Sequence, residues 1–534
     1  MRPLDADIQY ARALVVDPSP GSRATLVAML RDGGVGRVEQ CAHVADARRV
    51  LASRHFHIVL CEHEFPGEPM TGQDLIDELR LSHSLSLSTV VIMISGEAAY
   101  SRVADAAEAA LDAYLIKPHT EDALRQRLAD ARARKRQLKP ILDKVEQRDY
   151  ESAAELCRSV FEVRGPQWIH AARIGAELYL NLGQAHAAIE MLEAVLATRA
   201  LPWARMGIAR SQYRSGSLAS ARRTLESLLA DQPGYVDAYD VMGRVLLDQG
   251  DSEAALSALE RACALTPGNV ARLQKFGVLS FYCGDPARAA QALQRATEIG
   301  LSSRTYDLQG LVLLAALQFD RRDARQLALT RTTMARVARE APGSARLQRF
   351  VDVVDTLHLL ATRAAPEAIL RVRAMFGALH DPQFDFEAAC NLVMLLSRLE
   401  RTEVHLEDLP YHIERLALRF SVSKTANELL LQAAGDVGAI VGVLRQCHAR
   451  IGAMAEAALS HTISGRPAQA ITDLLAGAEQ TLNGKLIELA GHTLARHQAA
   501  ITDAQALHDR IDALKKRYLS YGTQIPLTRP GERV

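Results

Sequence analysis

HIVLCEHEFPGEPMTG, residues His57–Gly72, passes from a short apolar run into a loop rich in turn residues. HIVLCE (His57–Glu62) is too short for a helix and is bounded by turn signals, so it reads as a buried strand. The strand closes on a carboxylate, Glu62. Working outward, the same pattern returns. ALVVD (Ala13–Asp17), a weaker segment near Arg37–Cys41, TVVIMIS (Thr89–Ser95) and AYLIKP (Ala113–Pro118) read as four more strands. Between them lie helical stretches at Ser22–Arg31 (with Leu26, Met29 and Leu30 apolar), Ala45–Ser53, Gln73–Leu81 and Ser101–Ala109. A last helix runs from Thr120 towards Arg136. Five strands alternating with five helices imply an α/β doubly wound parallel sheet. Ligands of such sheets sit beyond the carboxyl ends of the strands. Asp17, Glu62, Ser95 and Lys117 are therefore the candidate site residues.

Over roughly residues 10–131 the sequence resembles the receiver domain of bacterial response regulators, a flavodoxin-like fold. Four motifs fall in the family's order. VVDPSPGSR is similar to its first acidic loop, and VLCEHEFPGEPMTG to the phosphoacceptor strand and loop. MISG is similar to the strand that ends in a hydroxyl residue, and AYLIKP to the last strand with its Lys-Pro. The resemblance implies a phosphoacceptor at position 62, a switch hydroxyl at Ser95, a switch aromatic at Tyr114 and a conserved-role lysine at Lys117. Two positions depart from the pattern. The usual acceptor aspartate is replaced by Glu62, and the second acid of the first loop by Pro18, leaving Asp17 alone.

In the family an aspartate attacks a phosphoryl group while Mg²⁺, held in near-octahedral oxygen coordination, neutralises the transferring oxygens. With one metal carboxylate missing, Asp17 is expected to be a weak ligand and no resident cofactor is expected. Glu64 and Glu68 are the nearby acids that could compensate. Glutamate carries an extra methylene, which moves its carboxylate away from attack geometry and places a permanent charge where a phosphoryl group would sit. A Glu62–Lys117 pair would then resemble the lysine–phosphoryl contact of an activated receiver. Residual phosphorylation, and a pocket whose charges merely satisfy each other, are the competing readings.

A chain of 534 residues exceeds one core. Its 63 basic and 63 acidic residues cancel, giving no global electrostatic reason to bind nucleic acid or anionic membrane. No run of apolar residues is long enough to span a bilayer. The N-terminus lacks signal-peptide order. The seven cysteines are scattered without a CxxC pair, so most read as small buried hydrophobes. A cytoplasmic protein is expected.

After the receiver-like segment the helix becomes arginine-rich (RQRLADARARKRQLKP), which reads as a solvated face leading into a linker at Leu138–Pro140. Beyond it a 34-residue period appears, carried by Gly216, Gly250 and Gly284, by Ala221, Ala255 and Ala289, and by Leu225, Leu259 and Leu293. This is similar to the tetratricopeptide repeat (TPR), a pair of antiparallel helices. The clearest copy is VDAYDVMGRVLLDQGDSEAALSALERACALTPGN (Val236–Asn269). Repeats are expected over 140–302, degenerate TPR-like hairpins over 303–518, and a flexible tail over 519–534. Arg210, Arg214, Arg244 and Asp248 are candidates to line the groove.

No GxxxxGK[ST], HExxH or GxSxG motif occurs, so no enzyme is expected. The expectation is an atypical two-component regulator that acts by protein contact, without normal phosphorylation cycling. The alternative is a phosphorylation-competent receiver that switches partner binding by its repeats. Resemblance to VieB-like receiver–TPR regulators implies a sensor kinase or sister regulator as partner, without nucleic acid or membrane insertion. A homodimer is left open.

Overall fold

The computed structural model describes residues 7–68, 70–81, 83–96, 112–301, 306–340, 343–402, 406–498, 501 and 503–519. The helix expected at Ser101–Ala109 and nearly all of the 519–534 tail lie outside them. Five parallel strands form one sheet in the order β2-β1-β3-β4-β5. They are β1 (Arg12–Val16), β2 (Arg37–Cys41), β3 (Ile58–Glu62), β4 (Val90–Ser95) and β5 (Ala113–Ile116). Every residue of β3 and β4 is buried, which explains their continuous apolar runs. A central parallel strand is covered on both faces and has no polar side to alternate. One core packs Leu14, Val59, Val91 and Met93 beneath helices α2 (Val44–Ser53) and α3 (Gly72–Leu81). The other packs Val15, Leu60 and Ile92 against α1 (Pro20–Asp32) and against Leu124 and Leu128. Helix α1 starts where Ser19 accepts a hydrogen bond from the Ser22 amide, with Pro20 at the first helical position.

The expected linker at Leu138–Pro140 is instead the middle of one helix, α4 (Glu121–Glu146). Its first half buries Leu124, Leu128 and Ala131 in the sheet's core, and its second half buries Leu138, Ile141 and Leu142 in the next one. A proline inside a helix costs about 3 kcal/mol. Burial of three large apolar side chains, at about 1.5–3 kcal/mol each, outweighs it. The arginine-rich face is not simply solvated. Lys135 Nζ lies 3.1 Å from Asp112 and donates to the Leu87 carbonyl, and Arg134 donates to the Asp112 carbonyl.

Antiparallel hairpins follow: α5 (Tyr150–Glu162), α6 (Trp168–Asn181), α7 (Ala185–Thr198), α8 (Pro202–Arg214), α9 (Leu218–Asp231), α10 (Val236–Asp248), α11 (Ser252–Leu265), α12 (Val270–Tyr282) and α13 (Pro286–Gly300). Close packing of a pair needs Gly243, where a Cβ would stand 3.1 Å from the Leu259 side chain. The chain divides into two compact units, Met1–Leu273 with Glu298–Tyr306, and Gln274–Thr297 with Asp307–Val534. The second unit is helical throughout its described residues, up to Leu519. It departs from plain hairpins in the 26-residue helix Gly438–Ile463. Within it Arg346 bridges Asp307 and Glu387, and the amides of Gln309 and Asn391 pair reciprocally at 2.8 Å.

Candidate functional site

The carboxyl ends of β1, β3 and β5 bring Asp17, Glu62 and Lys117 into direct contact. Asp17 is fully buried and Glu62 nearly so. Lys117 Nζ donates to Glu62 Oε2 and lies 3.3 Å from Asp17 Oδ2. Two adjacent buried carboxylates repel unless a cation sits between them, and Lys117 supplies it. Burial disfavours the Lys117 charge, but Glu62 and then Asp17 outweigh it, so the lysine pKa is raised. The remaining oxygens are also occupied. Asp17 Oδ1 accepts from the Ser19 amide at 2.8 Å and Oδ2 from Ser22 Oγ at 2.6 Å. Arg23 donates to the Asp17 carbonyl. Glu62 Oε1 accepts from the His63 amide at 3.0 Å.

Backbone pairing holds this corner. The His63 amide donates to the Ile94 carbonyl at 2.7 Å, and the Lys117 amide to the Ser95 carbonyl at 2.8 Å. Gly72 closes the loop after β3, its amide 2.8 Å from the His63 carbonyl. A Cβ there would lie 2.0 Å from the Glu62 carbonyl oxygen, so only glycine fits.

Residues 13–129 match the response regulator receiver domain family, and residues 236–269 match a tetratricopeptide repeat. The chain joins a response-regulator receiver domain to tetratricopeptide repeats. The receiver is similar to the chemotaxis protein CheY-3 of Vibrio cholerae, 29% identical over 117 residues that make 22% of this chain and 88% of that protein. It is similar also to the chemotaxis protein CheY of Pseudomonas aeruginosa, 28% identical over 117 residues, 22% of this chain and 92% of the relative. A solved tetratricopeptide repeat protein from Parabacteroides merdae is 15% identical, with a TM-score of 0.35, covering 53% of this chain and 99% of its own.

The receiver's pocket does not fit the divalent metal that its family implies. Pro18 offers no side-chain oxygen, the Asp17 oxygens already accept from Ser19, Ser22 and Lys117, and the Lys117 ammonium stands between the acids. Among the described residues no group of three or more His, Cys, Asp or Glu side chains is placed to hold a metal. Glu68 does not compensate. It accepts from the Val44 amide at 3.1 Å and pairs with His43, so it serves the start of α2. Glu64 is exposed, with its amide 3.5 Å from Glu62 Oε1. Ser95 is buried at the end of β4, and Tyr114 is half-buried against the core that holds Phe65 and Met93.

In the repeats, three expected groove residues are engaged by the neighbouring repeat. Arg210 pairs with Glu177 at 3.1 Å, Arg214 binds Asn181 Oδ1 at 3.0 Å, and Asp248 accepts from the Tyr213 hydroxyl at 2.8 Å. A buried charge cluster of this part was missed from sequence. Arg272 of α12 donates to Asp237 at 2.6 Å and to Asp240 at 2.9 Å, both on α10. The signal was available, since the partners stand near one repeat period apart.

Proposed function

We propose that this protein is an atypical two-component response regulator that works as a protein–protein interaction adaptor and does not cycle through normal phosphorylation. The observation that carries this is Lys117 seated on Glu62 with Asp17 beside it, a closed charge set that uses the oxygens a phosphoryl donor and a metal would need. Attack on phosphorus requires a carboxylate oxygen held in line and a cation on the transferring group. Here the cation neutralises the carboxylate instead. The protein is not an enzyme on this reading, and receiver and TPR domains are regulatory and interaction modules. TPR arrays present surfaces for protein partners. A sensor kinase or a sister regulator is the partner that the two-domain architecture suggests. No helix among the described residues is long and apolar enough to cross a membrane.

The test is incubation of the purified chain with Mg²⁺ and a small phosphodonor, with beryllofluoride in parallel. No stable label and no fluoride-dependent change are expected. Stoichiometric label, or a beryllofluoride-induced structural change, overturns the proposal in favour of a phosphorylation-driven switch. Glu62→Asp alone is expected to remain poorly labelled, because Pro18 still withholds a metal ligand.

A further inference from the structure

The faces of the first unit that solvent should reach are covered. Helix α3 is amphipathic, with Leu75, Ile76 and Leu79 in the receiver core. Its outer residues should be exposed, yet every residue from Gly72 to Arg80 is buried or half-buried. The repeats show the same asymmetry. Trp168–Ala176 of α6, Pro202–Tyr213 of α8 and Val236–Leu247 of α10, the first helices of successive repeats, contain no exposed residue. The second helices do expose residues at helical intervals, for example Glu190 and Glu193 on α7 and Glu253, Ser257 and Glu260 on α11. An open TPR array would leave its inner helices wet.

Packing, hydrogen bonds and charge together point to what lies there. Leu87, in the loop between α3 and β4, packs against the apolar cluster that joins Leu138 and Leu142 of α4 to Ala172, Tyr179 and Trp203 of the repeats. Glu146, at the end of α4, accepts from Ser86 Oγ at 2.6 Å and from the Leu87 amide at 2.8 Å. Asp112, just before β5, and Arg134 both act on His170 of α6. Arg272 acts electrostatically on Asp74, and Asp77 on Arg272. Arg272 is held by Asp237 and Asp240, and its charge is felt at the acidic edge of α3.

We infer that the receiver is the ligand of its own repeat array, docked in cis along the inner helices with Asp74 and Asp77 facing Arg272, so that an external partner of that face must displace it. The kind of partner that fits carries an acidic helical edge like that of α3. The inference stands whether or not Glu62 accepts a phosphoryl group, since it rests on the α3 face, the loop after it and the inner repeat helices, not on the pocket.

Hydrogen exchange on the full-length chain tests it with two variants. Asp77→Arg reverses the edge charge at a carboxylate that also accepts from the Gln73 side chain, while Glu146→Gln weakens the loop clasp from the repeat side. In Asp77→Arg, amides of α3 and of α6, α8 and α10 should exchange together, faster by about tenfold or more, with β3 and far-UV circular dichroism unchanged. Glu146→Gln should give the same pattern, more weakly. Unchanged protection on both faces in both variants overturns the inference. Faster exchange in α3 alone, with the inner helices still protected, also overturns it, as that is local helix damage.

Discussion

Two places in the first unit hold one cation between two carboxylates, and they behave as different devices. In the receiver, Lys117 sits on Glu62 and Asp17. In the repeats, Arg272 sits on Asp237 and Asp240. The Lys117 side chain is 30% exposed and that of Arg272 9%. Lysine is a point charge on a flexible stem, reached by water at the mouth of the sheet. Arginine is a planar fork that binds two acids at once and stays charged. The first arrangement fills a pocket; the second fastens helices. Equal charge stoichiometry therefore does not mean equal rigidity, and burial together with cation geometry decides which results.

The largest test of that contrast is Arg272→Met. Removing the guanidinium leaves Asp240 buried and uncompensated, so a loss of about 3–5 kcal/mol is expected, read as a lower urea midpoint. A loss below about 1 kcal/mol would remove the distinction. Lys117→Met is expected to cost less, about 1–3 kcal/mol, because water can enter the mouth and a carboxylate can take up a proton. Glu62→Gln should cost about 1 kcal/mol, as Lys117 retains Asp17 and the amide oxygen still accepts from His63. If it matched the loss of the lysine, Asp17 would not be sharing the charge.

The smallest effect is a pH difference. Burial opposes the Lys117 charge, but Glu62 and Asp17 prevail and raise its pKa above the ordinary 10.5. A group raised on folding contributes stability that is complete below its unfolded value and fades as pH climbs through the folded one. The receiver should therefore weaken above about pH 10.5, while Lys117→Arg should hold its contribution, since arginine does not deprotonate there. Urea midpoints of the two chains at about pH 9 and about pH 11 check this. Parallel declines would place the alkaline sensitivity elsewhere.

Much of the fold was legible because it is local. Short apolar runs mark central strands, and the glycines at 216, 250 and 284 mark turns with positive φ between paired helices. The period was lost beyond them for a definite reason. Arg322 and Arg363 adopt the same left-handed backbone, with φ of 56° and 62°, after their helices, as Arg148 does at 61° before the exact repeats begin. The turn persists while its glycine does not. An arginine there is strained by about 1–2 kcal/mol, which the packed hairpins on either side sustain, so the glycine ruler is interrupted there and a turn glycine with positive φ returns later, as at Gly465.

Glu62, Asp17 and Lys117 could be named from sequence because the ends of parallel strands converge by topology. Sequence determined the sheet, the repeat and the chemical identity of the pocket, since each follows from periodicity or from residue type at a strand end. Only the tertiary structure decided that Pro140 lies within a helix, that Arg272 is a clasp, and that α3 has no fully exposed residue from Gly72 to Arg80. These depend on burial between segments distant in the chain, where apolar packing outweighs a proline's helix-breaking tendency and two acids close on a cation more than 30 positions away.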